Sequence, residues 1–205
     1  MSARDDRYDE RALRFQAKEE LRRRMRGVRG AIPADARAVR SRAMAERVLA
    51  LDEYARAKVV AGYVAVRSEA DPAAVLARAR ADGKRVALPR VDANDALVFH
   101  DWSDGHTLVE SELGILEPAE DAPVLAPNEI DLVLVPALAA DARGHRIGSG
   151  RGFYDRTLPL FTRAHKVAFV YDFQLLAEIP DTEGDVRVDR VLTDRRTLVV
   201  GARDD

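Results

Sequence analysis

KVVAGYVAVRSEADPAAVLARARADGKRVALP, Lys58 to Pro89, decides the fold class. Lys58 to Val66 is rich in β-branched residues and reads as a short strand. Asp71 and Pro72 then supply an N-cap and a proline at the first helical position, AAVLARARA continues without a breaker, and Gly83 closes the helix. Lys84 to Pro89 (KRVALP) returns to a strand. Strand, helix, strand is a βαβ unit, which predicts a parallel sheet with helices on its faces.

The same alternation extends outward. Asp131 to Pro136 (DLVLVP) is almost wholly apolar, as expected of a strand buried on both faces, and Lys166 to Tyr171 (KVAFVY) repeats the pattern. Leu97 to Trp102, Val186 to Leu192 and Thr197 to Val200 read as further strands, Leu113 to Pro118 (LGILEP) as a bend, and Phe153 to Phe161 and Asp172 to Glu178 as helices. Upstream, Leu13, Ala17, Leu21, Met25 and Val28 form an apolar stripe whose opposite face is mostly basic. Asp35 to Leu51 reads as a second helix, N-capped by Asp35, with Val39, Ala43 and Val48 directed inward. The whole predicts a three-layer α/β/α domain with a mostly parallel sheet over residues 13–203, preceded by a polar, frayed tail at residues 1–12.

Composition narrows the class of activity. The 205 residues suffice for one core, and no linker divides them. Apolar residues at 47% and charged residues at 33% describe a cytoplasmic globular protein, and no apolar run approaches the roughly 18 residues of a membrane span. The formal charge of −2 argues against a nucleic-acid-binding surface. With no cysteine, thiolate metal sites and cysteine nucleophiles are excluded. The N-terminus has no apolar segment of the secretory kind.

The chemistry concentrates in GHRIGSGRGFYDR, Gly144 to Arg156, which holds four glycines and three arginines. It is neither a Walker A loop, lacking the Lys-Ser/Thr that follows the second glycine, nor a Rossmann fingerprint, because Gly148, Gly150 and Gly152 alternate and stand well beyond DLVLVP. Bare glycine backbone and the N–H groups of a following helix nonetheless suit an anion. Asp155, in that helix's first turn, either stabilises the helix end or meets bound phosphate through a cation such as Mg²⁺. A plain Gly/Arg connection remains the competing reading.

DLVLVPALAADARGHRIGSGRGFYDRTL closely resembles the signature of the 5-formyltetrahydrofolate cyclo-ligases, also called methenyltetrahydrofolate synthetases. KEELR (Lys18 to Arg22), GYVAVRSEADP (Gly62 to Pro72), GILEP (Gly114 to Pro118) and VRVDRVLTD (Val186 to Asp194) match further family blocks in order, so the resemblance covers roughly residues 15 to 200. It implies a Rossmann-like, CoA-transferase-like fold and an ATP- and Mg²⁺-dependent conversion of 5-formyltetrahydrofolate to 5,10-methenyltetrahydrofolate in a monomeric or weakly dimeric protein. In that chemistry the formyl oxygen is phosphorylated, N10 attacks the activated carbon and phosphate departs, which asks mainly for positioning and charge neutralisation.

Carried over by position, the resemblance implies ATP contacts at Lys18 and Arg22, one turn apart on one helical face, and at Arg146, Gly148, Ser149, Gly150, Arg151, Gly152, Phe153, Tyr154 and Asp155. Asp155 and Arg151 would be catalytic, and Asp155 with Asp189 would hold Mg²⁺. Glu69 would meet the pterin end of the folate, and Tyr63, Trp102 and Tyr154 would flank the flat rings. On their own, Lys18 and Arg22 read by default as a solvated basic face, and the three aromatics at least equally as core packing. The chain departs from the family at Ala137, Ala140, Ser149, Arg151, where a lysine or glycine is usual, and Gly184, where many relatives have histidine. His145 stands at a commonly aromatic position, with no role implied. These departures motivate a second reading, a non-catalytic folate- or nucleotide-binding relative. A CoA-transferase or sugar-phosphate isomerase would rest on fold analogy alone.

Overall fold

The computed structural model describes residues 3–102, 107–112 and 114–201. Three helices lead: α1 (Ala3–Gly30), α2 (Ala34–Leu49) and α3 (Asp52–Arg56). There follow β1 (Val59–Ala61), α4 (Ala73–Ala81), β2 (Arg85–Val91), β3 (Leu97–Asp101), β4 (Leu108–Glu110), β5 (Leu116–Pro118), β6 (Val124–Leu125) and β7 (Leu132–Pro136). The last third holds β8 (Ala139–Asp141), β9 (Arg146–Ile147), α5 (Phe153–Thr157), β10 (His165–Phe169), β11 (Leu175–Leu176), β12 (Arg190–Leu192) and β13 (Thr197–Val199).

The main sheet runs β13-β12-β10-β7-β1-β2-β3-β6. Its centre, from β12 to β2, is parallel, and β13, β3 and β6 are antiparallel additions at the edges. The βαβ unit is therefore real, with Val60 opposite Val86 in the β1–β2 pair. β7 lies near the middle. Its alternate residues separate onto two faces, Leu132 and Leu134 into one core and Val133 and Val135 into the other, which is why its sequence is apolar throughout. The first core is covered by α2, through Met44 and Val48, and by α4, through Val75, Leu76 and Ala79. The second is covered thinly, by α5 and the 3₁₀ turn Leu158–Leu160, with Phe161 edge-on to Phe99 at 5.3 Å.

Several elements differ from expectation for identifiable reasons. β1 stops at Ala61, with Gly62 N–H still donating to the Ala87 carbonyl, and residues 66–69 turn on themselves: Val66 N–H donates to the Glu69 carboxylate and Glu69 N–H to the Val66 carbonyl. α5 spans only Phe153–Thr157, since Pro159 has no N–H to continue the helical bonds and the chain tightens into the 3₁₀ turn Leu158–Leu160. Residues 172–178 form a 3₁₀ turn and β11, not a helix, and Leu116–Pro118 pairs with β4 where a bend was expected. Leu113, the start of that stretch, lies outside the described residues. Pro33, not Asp35, occupies the α2 N-cap, and Val39 is 64% exposed, the inward face being Ser41, Met44, Ala45 and Val48.

The expected inward stripe of α1 is also rotated. Leu13 is 64% exposed and Val28 is exposed as well, while Lys18, Met25 and Arg29 are buried. Met25 anchors the helix on Leu138, Ala139, Ile147 and Ile179. α1 begins at Ala3, so its helical turns run through the segment read as a tail.

Candidate active site

A cavity of about 920 Å³ opens at the C-terminal ends of β1, β2 and β7, where ligands of parallel α/β sheets are usually held. One wall is the segment from Tyr63 to Glu69, and the facing wall is the glycine loop from Gly148 to Asp155, with Arg146 behind it. Leu116 and Glu117 contribute from β5, and Arg26 and Arg29 from α1.

The loop's shape follows from its stem. Asp141, fully buried, accepts backbone N–H bonds from Arg143, His145 and Ile179 and pairs with the Arg143 guanidinium. Burial alone would raise its pKa, but these donors outweigh it and hold the carboxyl below its usual value. His145 Nδ1 lies 3.3 Å from Asp141, and its Nε2 accepts a bond from Arg187 at 2.9 Å, so this histidine ties the stem to residues near 187. Gly144, at φ +83°, has no room for a side chain: a Cβ would sit 2.6 Å from the Val188 carbonyl oxygen. Gly152, at φ +69°, turns the chain into α5.

Arg146 is almost wholly buried, and its Nη2 bonds Asp155 Oδ1 at 2.7 Å. Burial lowers its pKa, opposed first by the charge of Asp155. Asp155 Oδ1 also meets Val186 N–H at 3.4 Å, which sets the segment around Asp185 beside it. Asp189 is not there. It stands at the N-terminal edge of β12, where its Oδ2 accepts Lys166 N–H at 2.7 Å and it lines a separate cleft with Lys166 and Phe161. The pair expected to share a metal thus does not share a cavity; the other carboxylates lining the cavity with Asp155 are Glu69 and Glu117, while Asp185, next to Val186, is paired with Lys18. Among the described residues no cluster of three or more His, Cys, Asp or Glu could form a metal cage. A Mg²⁺ ion held by one or two carboxylates and completed by phosphate oxygens and water needs none, so the partly exposed Asp155 carboxylate fits that role.

Lys18 and Arg22 are not a solvated face. Lys18, 4% exposed, forms an ion pair with Asp185 and bonds Thr182 Oγ1 at 2.7 Å. Arg22 Nε donates to the Gly148 carbonyl at 3.2 Å, and Arg26 Nη2 donates to the Ser149 carbonyl at 2.7 Å. Both arginines clamp the loop's carbonyls, leaving its N–H groups uncommitted to them. Neither Lys18 nor Arg22 lines the cavity, and Gly150 lies against Arg22 on the loop's outer side. Phe153 carries the guanidinium of Arg151 at 5.9 Å and that of Arg156 at 5.7 Å from its ring centre.

Aromatic and acidic side chains meet across the cavity. Tyr63 is buried and donates to the Ala70 carbonyl at 2.6 Å. The Tyr154 hydroxyl is buried without a hydrogen-bond partner, and burial, then the Glu69 charge, raises its pKa. Burial likewise raises the Glu69 carboxyl, opposed by Val66 N–H and Arg29. Trp102, expected at the site, is instead packed against the α2–α4 core with the Arg80 guanidinium 4.0 Å above its ring.

Arg26, Arg29, Glu117 and Asp185 were missed by sequence reasoning. The spacing of Lys18, Arg22, Arg26 and Arg29 on one helical face was a usable signal, obscured by the many arginines around it.

Residues 14–194 match the model of the 5-formyltetrahydrofolate cyclo-ligase family. A 5-formyltetrahydrofolate cyclo-ligase of Mycolicibacterium smegmatis is 42% identical over 150 residues, covering 69% of this chain and 76% of the relative. One from Escherichia coli K12 is 32% identical over 154 residues, covering 73% and 85%. The NMR structure of Aquifex aeolicus 5,10-methenyltetrahydrofolate synthetase superposes with a TM-score of 0.81 at 27% identity, covering 92% of this chain and 95% of that one.

Proposed function

The chain belongs to the 5-formyltetrahydrofolate cyclo-ligase family, and from that premise we propose that the cavity converts 5-formyltetrahydrofolate to 5,10-methenyltetrahydrofolate with ATP going to ADP and phosphate. The observation that carries this reading is that the matched glycine loop and the matched Glu69 face each other across one cavity.

A formyl oxygen on nitrogen is a poor leaving group. Its attack on the γ-phosphorus forms an O–P bond as the bond to the ADP oxygen breaks. N10 then forms its bond to the formyl carbon and loses its proton, and the C–O bond breaks to release inorganic phosphate. The protein's task is to align these atoms and neutralise phosphate charge. The N–H groups of Gly148 to Gly152 would receive the phosphates, with the loop held open by Arg22 and Arg26 from behind. Arg151, on the cavity side, would meet the transferring group. Mg²⁺, when bound with the nucleotide, would supply charge neutralisation at Asp155. Glu69 would accept from the N–H donors of the pterin, whose flat ring would lie between Tyr63 and Tyr154.

No helix among the described residues is long and apolar enough to cross a membrane. A cytoplasmic location, a monomeric or weakly dimeric state and a single catalytic domain over 13–203 belong to the same proposal.

The test is to mix the purified chain with 5-formyltetrahydrofolate and MgATP and follow the near-ultraviolet absorbance of the methenyl product, omitting ATP or Mg²⁺ in parallel. The expected result is product only when both are present. A flat trace from folded protein that binds both ligands would establish a non-catalytic relative.

A further inference from the structure

Arg29 lies in the last turn of α1, 8% exposed, outside the loop that carries the family signature. Its Nη1 is 3.8 Å from Glu69 Oε1, and its Nε donates to Ser68 Oγ at 3.3 Å. Burying a guanidinium costs free energy unless a charge partner is present, and Glu69 is the only carboxylate this one meets among the described residues. Arg29 also sits on the helix whose Arg22 and Arg26 clamp the glycine loop, so one rigid element touches both walls of the cavity.

We propose that Arg29 is the positioning residue for Glu69, fixing that carboxylate's orientation at the folate wall and tying it to the helix that clamps the nucleotide loop. The inference rests on Glu69 being the folate contact. The Glu69 carboxylate is held by Arg29 from α1 and by the Val66 N–H, and its backbone by the Val66 carbonyl and, at 3.1 Å, the Tyr171 hydroxyl. The other titratable groups facing it are the Tyr63 and Tyr154 phenols, which stay neutral at working pH, so Arg29 is the one charge that favours the carboxylate form. Because the pterin presents N–H donors, the ionised form is the one that binds, and productive folate capture should fail at low pH.

The experiment measures kcat and KM for each substrate across pH in Arg29→Met, Arg29→Gln, Arg29→Lys and Glu69→Gln. Removing the Arg29 charge is expected to raise the folate KM about tenfold and to move the acid limb of kcat/KM for folate upward by about one pH unit. The ATP KM should change less than about twofold, and Arg29→Lys should restore the limb. An unmoved limb in either neutral variant, whether activity is intact or falls uniformly with lowered stability, would overturn the proposal and leave the folate reading standing. If Glu69→Gln keeps full activity, the reading of Glu69 itself fails and takes this inference with it.

Discussion

At the scale of single residues, the charges that were easiest to read proved to have two different jobs. Asp155 faces the cavity, whereas Asp141 and Lys18 are buried in the scaffold that holds the loop in place. Asp141 illustrates the second class. Its folded pKa lies below the unfolded value of about 3.9, so its contribution is complete above that pH and is lost as pH falls through the folded pKa. Asp141→Asn should therefore destabilise by on the order of 3 kcal/mol near neutrality, with the gap from wild type narrowing below about pH 4. Denaturant melts of both proteins at several pH values check this, and a gap independent of pH would show that the charge is not what matters. The identity of Asp155 was legible because it sits inside the signature. Asp185 was not, since its role depends on a contact with Lys18 from a helix 167 residues away in sequence.

At the scale of elements, the parallel strands were legible and the cavity walls were not. A strand buried on both faces must be apolar throughout, so β7 and β10 announce themselves. The segment after β1 has the same composition but leaves the sheet, and at its end the Glu69 carboxylate takes the Val66 N–H. α1 misled for a related reason: its apolar residues were assumed to face the core, while its buried face is built of Lys18, Met25 and Arg29 held by partners on other elements. The loop stem gives a sharp prediction at this scale. Gly144→Ala adds a Cβ within 2.9 Å of Val200 and closer still to the Val188 carbonyl, at a positive φ. The expected cost is about 2–3 kcal/mol, with the nucleotide KM raised because the stem must shift. Thermal melts and ATP titration measure both, and a variant as stable as wild type would mean the stem tolerates the strain.

At the scale of the whole molecule, the sheet and its additions place two cavity walls opposite each other, and α1 reaches both. The fold class followed from alternation of periods, and the thin second outer layer was hidden because 3₁₀ turns such as Leu158–Leu160 leave no periodic signal. The same topology separates Asp155, at the cavity, from Asp189, at the start of β12 beside Lys166. That separation carries the central claim, that phosphoryl transfer occurs in the loop-lined cavity. The most direct measurement is kcat with MgATP and 5-formyltetrahydrofolate for Asp155→Asn beside Asp189→Asn, each with a melting curve to establish folding. The account predicts a loss of about 10²–10³-fold in the first and turnover within about threefold of wild type in the second. Full activity in Asp155→Asn, or its loss in a folded Asp189→Asn, would contradict it.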